Sequence, residues 1–500
     1  MNQKHLRLDA LVAAALFLGA CTSGGGGSSV SLPQRFRMSQ SQLGTFFEVR
    51  SGRIAIVRSD GNVVLTDQTG EKVVSLTDDA GFAVQRDGDG VVGARYVLPM
   101  WAPDGKRLAL LEVRSAQPVT AQVQFEGDLR TIVEAGPGSG IVEQTLRGAA
   151  VRPIEETERF GFEPGRVTID FAAQHVDSAL YTVAPDGPGP LKEVWYGEEP
   201  VAYVDWSPQG NALAVLTSGE EETVTLVPLD GGRRRSLAQG ANLSWNWKPD
   251  GATMLMRSAT GVTVRSVETG DAAARLERTA TASQYSPDGR SMIFVRVQGG
   301  ESALILADAD GKEQRELASA RGEMRFAWSP IGDRVAYVAR EDGNLAGPLR
   351  VVDVTGGEPR LLSTAPVEGF FWSPDGKRIA AFAPLNLSSL TEDDQTPSAV
   401  SESSANPMAL WTLEVAQGPS AARKVLYLEP TARFRAVLRD FDRFARSMSI
   451  WSPNSRRLVA PFTVSVGAGG SADYIVETEA SGSIWPRVLG EGSLAVWSPN

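Results

Sequence analysis

The stretch Trp372-Ser373-Pro374-Asp375-Gly376-Lys377-Arg378-Ile379 sets a tight turn between an aromatic residue and an alternating apolar run. Proline at the second turn position presets φ to about −65°, and Asp followed by Gly suits the rest of the reversal. The run from Arg378 to Phe382 then has the period of a strand. One copy specifies a hairpin. The chain repeats it at Trp101, Trp206, Trp247, Tyr285, Trp328 and Trp451, and in shortened form as Trp497-Ser498-Pro499-Asn500. Most copies are separated by the length of a four-stranded blade, roughly 40–45 residues. That period points to an all-β fold, a β-propeller of four-stranded blades.

The W-S-P-D-G-K-R-I pattern is followed by strands such as Ala303-Leu-Ile-Leu-Ala-Asp308 and turns such as Asp308-Ala-Asp-Gly311. Together they resemble the TolB-like β-propeller repeat of bacterial lipoproteins. The resemblance covers nearly all of the chain after about residue 50 and is specific for fold, not for activity. Repeats begin near Arg53, where a separate α/β domain of the kind TolB has would lie, so TolB's own role does not carry over directly.

Three strand-like runs, Arg53–Arg58, Asn62–Asp67 and Lys72–Thr77, have no turn motif before them, whereas Trp497-Ser-Pro-Asn has no strands after it. The two ends are therefore expected to share one blade, which removes exposed edges and gives eight blades. Seven is the alternative, and so is a chain boundary at residue 500 unrelated to closure. The propeller is predicted over 51–500, with insertions at 116–177, 386–406 and 431–448. The first has its own strand-like runs and should form a small appendage. The second, rich in Ser, Thr, Pro and acids including Glu392-Asp393-Asp394, is expected to be a mobile loop.

The third insertion is a helix candidate from Thr431 to Met448. Phe434, Val437, Leu438, Phe441, Phe444, Ala445 and Met448 share one face. Arg433, Arg435, Arg439, Arg443 and Arg446 outnumber Asp440 and Asp442 on a chain of net charge −11. One reading is a docking helix for a partner or for lipid headgroups. The favoured one packs its apolar face on the ring and turns its charges to water.

The N-terminus carries Lys4 and Arg7, then an apolar run from Leu11 to Ala20, too short to span a bilayer and suited to a secretory signal. It ends in Leu18-Gly19-Ala20-Cys21, which looks like a bacterial lipobox. Residues 1–20 are read as a lipoprotein signal, Cys21 as the lipidated residue and 21–50 as a flexible linker, Gly-rich through Thr22–Ser29. The alternative is a simple cleaved signal followed by an accidental cysteine. The folded part is expected outside the cytoplasm, on the periplasmic face or the cell surface.

Cys21 is the sole cysteine, so an intrachain disulfide is impossible. His5 and His175 are the only histidines, which removes the usual zinc sets. A Ser-His-Asp arrangement would have to use His175, and no G-x-S-x-G elbow accompanies it. Asp87-Gly-Asp-Gly90 and Asp308-Ala-Asp-Gly311 carry oxygens suited to calcium but read better as hairpin turns. Calcium in the central channel is implied by the TolB resemblance alone, and no other cofactor is expected. Gly136-Pro-Gly-Ser-Gly140 lacks the lysine of a phosphate loop and reads as a turn.

An acidic body disfavours nucleic acid. The expectation is a non-catalytic, monomeric envelope lipoprotein that presents loops and a channel to an envelope protein, a membrane transport complex or a ligand. The alternative is an extracellular propeller enzyme, glycan- or peptide-processing, with channel carboxylates such as Asp205 or Glu368. A small-ligand or cell-wall sensor is the third reading.

Overall fold

The computed structural model describes residues 52–81, 83–85, 91–116, 119–126, 129–135, 165–171, 174–185, 190–277, 280–341, 343–390, 396–400, 404–444, 447–466 and 470–500. The signal, Cys21, the linker, Asp87–Gly90, Gly136–Gly140, Glu392–Asp394, Ala445 and Arg446 lie outside the described residues, as does the side chain of His175.

The sheets form eight blades in a ring. Blade 1 is composite: Leu494–Trp497 is its innermost strand and pairs with Ile54–Val57, followed by Val63–Thr66 and Val73–Ser75. Both chain ends thus contribute to one blade, as the unmatched motif and unmatched strands require. Blade 2 runs from Val91–Trp101 through Leu108–Ala116 and Gln174–Val183 to Lys192–Gly197, with Ala83–Gln85 added beside its first strand. Blades 3 to 7 open with Val201–Trp206, Ser244–Trp247, Ala280–Tyr285, Glu323–Trp328 and Gly369–Trp372. Blade 8 consists of Arg457–Val466, Gly470–Glu479 and Arg487–Glu491, with Trp451 bridging Leu458 in place of a longer inner strand.

The repeated turn shows why the motif recurs. Gly376 N donates to Ser373 O at 2.8 Å with Gly376 at φ +67°, a conformation glycine adopts without strain. Ser373 Oγ donates to Asp375 Oδ1 at 2.6 Å and accepts from Arg378 N at 2.9 Å, so both side chains lock the reversal. In the blade-8 copy Ser455 occupies the glycine position at φ +59°, and its hydroxyl accepts from Asp375 N of the preceding blade at 3.0 Å.

The motif tryptophans tie neighbouring blades together. Trp101, Trp206, Trp328, Trp372 and Trp451 donate through Nε1 to Val496 O, Met100 O, Gln284 O, Ala327 O and Phe371 O. Each acceptor is the residue just before the aromatic of the preceding blade. Arg107 and Arg378 lie over the next blade's Trp206 and Trp451, each 5.6 Å from the ring centroid. The core is therefore a series of seams between blades, such as Met100, Leu111, Val204 and Trp206 at the seam of blades 2 and 3.

Val119–Glu126 lies between Leu129–Ala135 and Gly165–Phe171 in a three-stranded sheet separate from the blades. The insertion is a separate appendage, and the blade resumes at Gln174. Within 386–406, expected to be a mobile loop, Ala399 and Val400 are packed against the ring. Ala399 N donates to Tyr427 O at 2.7 Å, and Val400 is buried against Ala409 and Tyr427. A short apolar pair inside a polar segment is enough to extend the edge of blade 7.

Candidate functional site

In every blade the aromatic turn closes one face of the ring, and the inner strand begins at the other. The appendage joins blade 2 where its second strand ends and its third begins, at Ala116 and Gln174. The 386–406 segment joins blade 7 at the same point, between Pro384 and Met408. Residues 429–448 connect the outer strand of blade 7 to the start of blade 8. All three insertions therefore emerge on the face opposite the aromatic turns.

The third insertion closes the channel on that face. Thr431 caps helix α1 (Ala432–Arg439), its Oγ1 accepting from Phe434 N at 3.2 Å. The expected single helix is broken: Asp440, at φ −114°, ends α1, and a second short turn, α2, follows over Phe441–Phe444. The break lets Asp440 and Asp442 both reach Arg325, at 3.3 and 3.1 Å. Phe434, Val437, Leu438, Phe441 and Met448 are buried, so the apolar face packs on the ring as its spacing indicated.

This segment touches every blade. Thr431 Oγ1 donates to Ser493 O, at the entry to the inner strand of blade 1, at 2.6 Å. Arg433 donates to Tyr96 O and Val97 O of blade 2 at 3.3 and 3.4 Å. Tyr203 Oη of blade 3 donates to Arg443 O at 2.9 Å, and Arg443 Nη2 donates to Leu243 O beside blade 4 at 3.4 Å. Gln284 of blade 5 donates to Asp442 O, and Arg325 of blade 6 pairs with both aspartates. Glu368 of blade 7 pairs with Arg435, and Pro430 bridges Phe462 of blade 8. At Gly369 an added Cβ would meet Leu438 O at 2.6 Å, so glycine permits α1 to sit on the blade. The segment is a plug.

The expectation that the segment's charges face water fails for Arg433, Arg435 and Arg443, which direct their guanidinium groups to ring atoms because the segment spans the ring and not its outer surface, Arg435 also reaching Asn406 O at 3.2 Å. Arg439 is exposed, its carbonyl accepting from Arg340. The plug-facing residues that sequence reasoning missed, Tyr203, Arg325 and Gly369, all lie three positions before a motif aromatic.

The two candidate carboxylates are separated. Asp205, one residue before its aromatic, lines a cavity of about 320 Å³ on the aromatic-turn side, walled by Trp101, Trp206, Trp247, Trp497 and motif prolines, with Ser447 and Ser449. Glu368, four residues before its aromatic, lies beneath α1 and is 1% exposed. Burial raises its pKa above the ordinary 4.5, outweighing Arg435, Arg439 and Arg340. A carboxyl with a raised folded pKa contributes stability below its unfolded value and loses it as pH rises through the folded one. Glu368→Gln should thus gain on wild type in melting temperature as pH rises from about 4 to about 8. A gap that stays constant with pH would contradict this.

Among the described residues no group of three or more His, Cys, Asp or Glu side chains is placed to hold a metal ion. In the Asp308–Gly311 turn, Asp308 Oδ1 accepts from the backbone N–H groups of Asp310 and Lys312, as a hairpin turn requires. Among the described residues no helix is long and apolar enough to cross a membrane.

No family model matches the chain. A curated protein, the uncharacterized peptidase YuxL of Bacillus subtilis, is 29% identical over 122 residues, which take in 23% of this chain and 18% of that protein. Among solved structures, TolB from Acinetobacter baumannii is 17% identical over 68% of this chain and 82% of its own, with a TM-score of 0.33. An oligogalacturonate lyase in complex with manganese is 13% identical over 86% of this chain and 98% of its own, with a TM-score of 0.44. Dipeptidyl peptidase 4 of Porphyromonas gingivalis is 12% identical over 69% of this chain and 50% of its own, at 0.42. The propeller assignment rests on this chain's own strand order.

Proposed function

We propose that the protein is a non-catalytic binding platform, held at the bacterial envelope by a lipid on Cys21, and that its plugged face engages an envelope protein or membrane complex. One observation carries this reading: three insertions of different length rise from one face of the ring, and one of them seals the channel there. Tight, uniform turns make the other face a scaffold, whereas insertions on a rigid ring are where recognition is built. Glu368, which an enzyme reading would use, is buried under the plug and paired with Arg435.

The test starts from the full-length protein, crosslinked in cells and purified. Deleting residues 119–171, whose described strands pair only with one another, should remove the co-purifying partner and leave the melting temperature of the ring unchanged within a few degrees. Full partner recovery by a folded deletion variant would contradict the assignment. Cys21→Ser should release the protein from the membrane fraction.

A second reading keeps one specific support, the position of Asp205 on the wall of the Trp- and Pro-lined cavity. It requires turnover of a glycan or peptide that Asp205→Asn abolishes with the fold intact. An inactive wild type on such a panel removes it.

A further inference from the structure

Arg257 lies in the second strand of blade 4 (Thr253–Ser258), opposite Ser244 in the register, and therefore at the plugged face. The residue before Ser244, Leu243, accepts through its carbonyl from Arg443 Nη2. Arg443 follows Asp442, which pairs with Arg325. Three guanidinium groups, from blade 4, blade 6 and the plug, thus converge around α2.

They differ in their partners. Arg325 is closed by Glu323, Asp440 and Asp442 at 2.8, 3.3 and 3.1 Å. Arg443 holds Leu243 O and lies over the Tyr203 ring, 5.3 Å from its centroid. Arg257 is half-buried, and its guanidinium makes no hydrogen bond or ion pair among the described residues. Burial lowers its pKa, and the neighbouring charges of Arg325 and Arg443 lower it further, more than Asp442 and Glu323 raise it. A guanidinium stays charged under these conditions, so a cation whose planar fork has no hydrogen-bond partner among the described residues is held next to other cations, with Asp442 and Glu323 offsetting only part of the cost. Such a fork matches two oxygens of a carboxylate or phosphate.

We propose that Arg257, with Arg443 beside it, forms an oxyanion site at the rim of the plug, and that it takes a carboxylate or phosphate group of a ligand reaching the plugged face. The site deepens the platform reading by giving the ligand its chemistry, and it is tested without any protein partner. Failure here leaves the partner experiment standing, and failure there leaves this one standing.

Calorimetric titration of the folded protein with inorganic phosphate and with glutarate, at constant ionic strength set by chloride, tests the site. Wild type should bind at least one of them, and which one identifies the group it takes. Arg257→Gln should bind about tenfold or more weakly, the loss of one charge-assisted pair. Arg257→Lys, which keeps the charge and loses the fork, should fall between. With anion absent, Arg257→Gln should melt above wild type, because it removes a charge that burial and two neighbouring cations disfavour more than the nearby carboxylates favour it. No binding of either anion by wild type, or equal affinity in all three proteins, would overturn the proposal.

Discussion

Removing residues 494–500 should abolish cooperative folding. Leu494, Ala495, Val496 and Trp497 are each 1–2% exposed, and they supply the inner strand against Ile54–Val57. Their loss also takes away the Val496 carbonyl that Trp101 Nε1 bonds, loosening the seam of blades 1 and 2. Large core truncations cost about 2–5 kcal/mol each, and several together exceed the ~5–15 kcal/mol that hold an ordinary domain. Circular dichroism should show no sharp melt for the truncated chain, and size exclusion should show an expanded or aggregated species. Adding the missing strand back as a separate peptide should restore part of the transition. A truncated chain that melts sharply near the wild-type temperature would mean that the ring closes without the composite blade.

The second large effect concerns the plug. Phe434 is 1% exposed, lies edge-on to Phe382 with centroids 5.2 Å apart, and stacks with Phe371 at 6.5 Å. Phe434→Ala should cost about 3–5 kcal/mol in urea unfolding, as buried Phe truncations do. Helices shorter than about 12–15 residues do not persist alone, so α1 depends on these anchors for its existence. The variant should therefore also become cleavable between residues 430 and 448 under limited proteolysis. A loss below about 1 kcal/mol, with no new cleavage, would show a segment resting on the ring and not built into it.

The ring was legible because its signal is local and repeated. Ser-Pro-Asp-Gly specifies a reversal from four neighbouring residues, and the aromatic before it marks the seam. The composite blade followed from the same bookkeeping, since a motif without strands and strands without a motif have one economical pairing. The apolar face over Phe434–Met448 was legible from its spacing, yet the spacing names a face without naming what covers it. The plug needs contacts such as Arg325 with Asp442, more than a hundred residues apart, which no window can see. The same limit applies to the carboxylates. Asp205 and Glu368 both read as channel residues, but their offsets of one and four positions from the aromatic send them to opposite ends of the inner strand. Within 386–406, composition hid the packed pair Ala399 and Val400, which is too short to register against its polar surroundings.

The proposed function makes the plugged face the working face. Leu345, between the second and third strands of blade 6, is 46% exposed on that face, and Arg439 is exposed on α1. Ile331, in the aromatic turn of blade 6, is 61% exposed on the opposite face. A photo-crosslinking side chain placed singly at each position in the full-length protein, irradiated in cells, compares the two faces directly. A discrete adduct from positions 345 and 439, with none from 331, is the expected result. An adduct from 331 alone would contradict the claim and move the site to the face where the Trp-lined cavity lies.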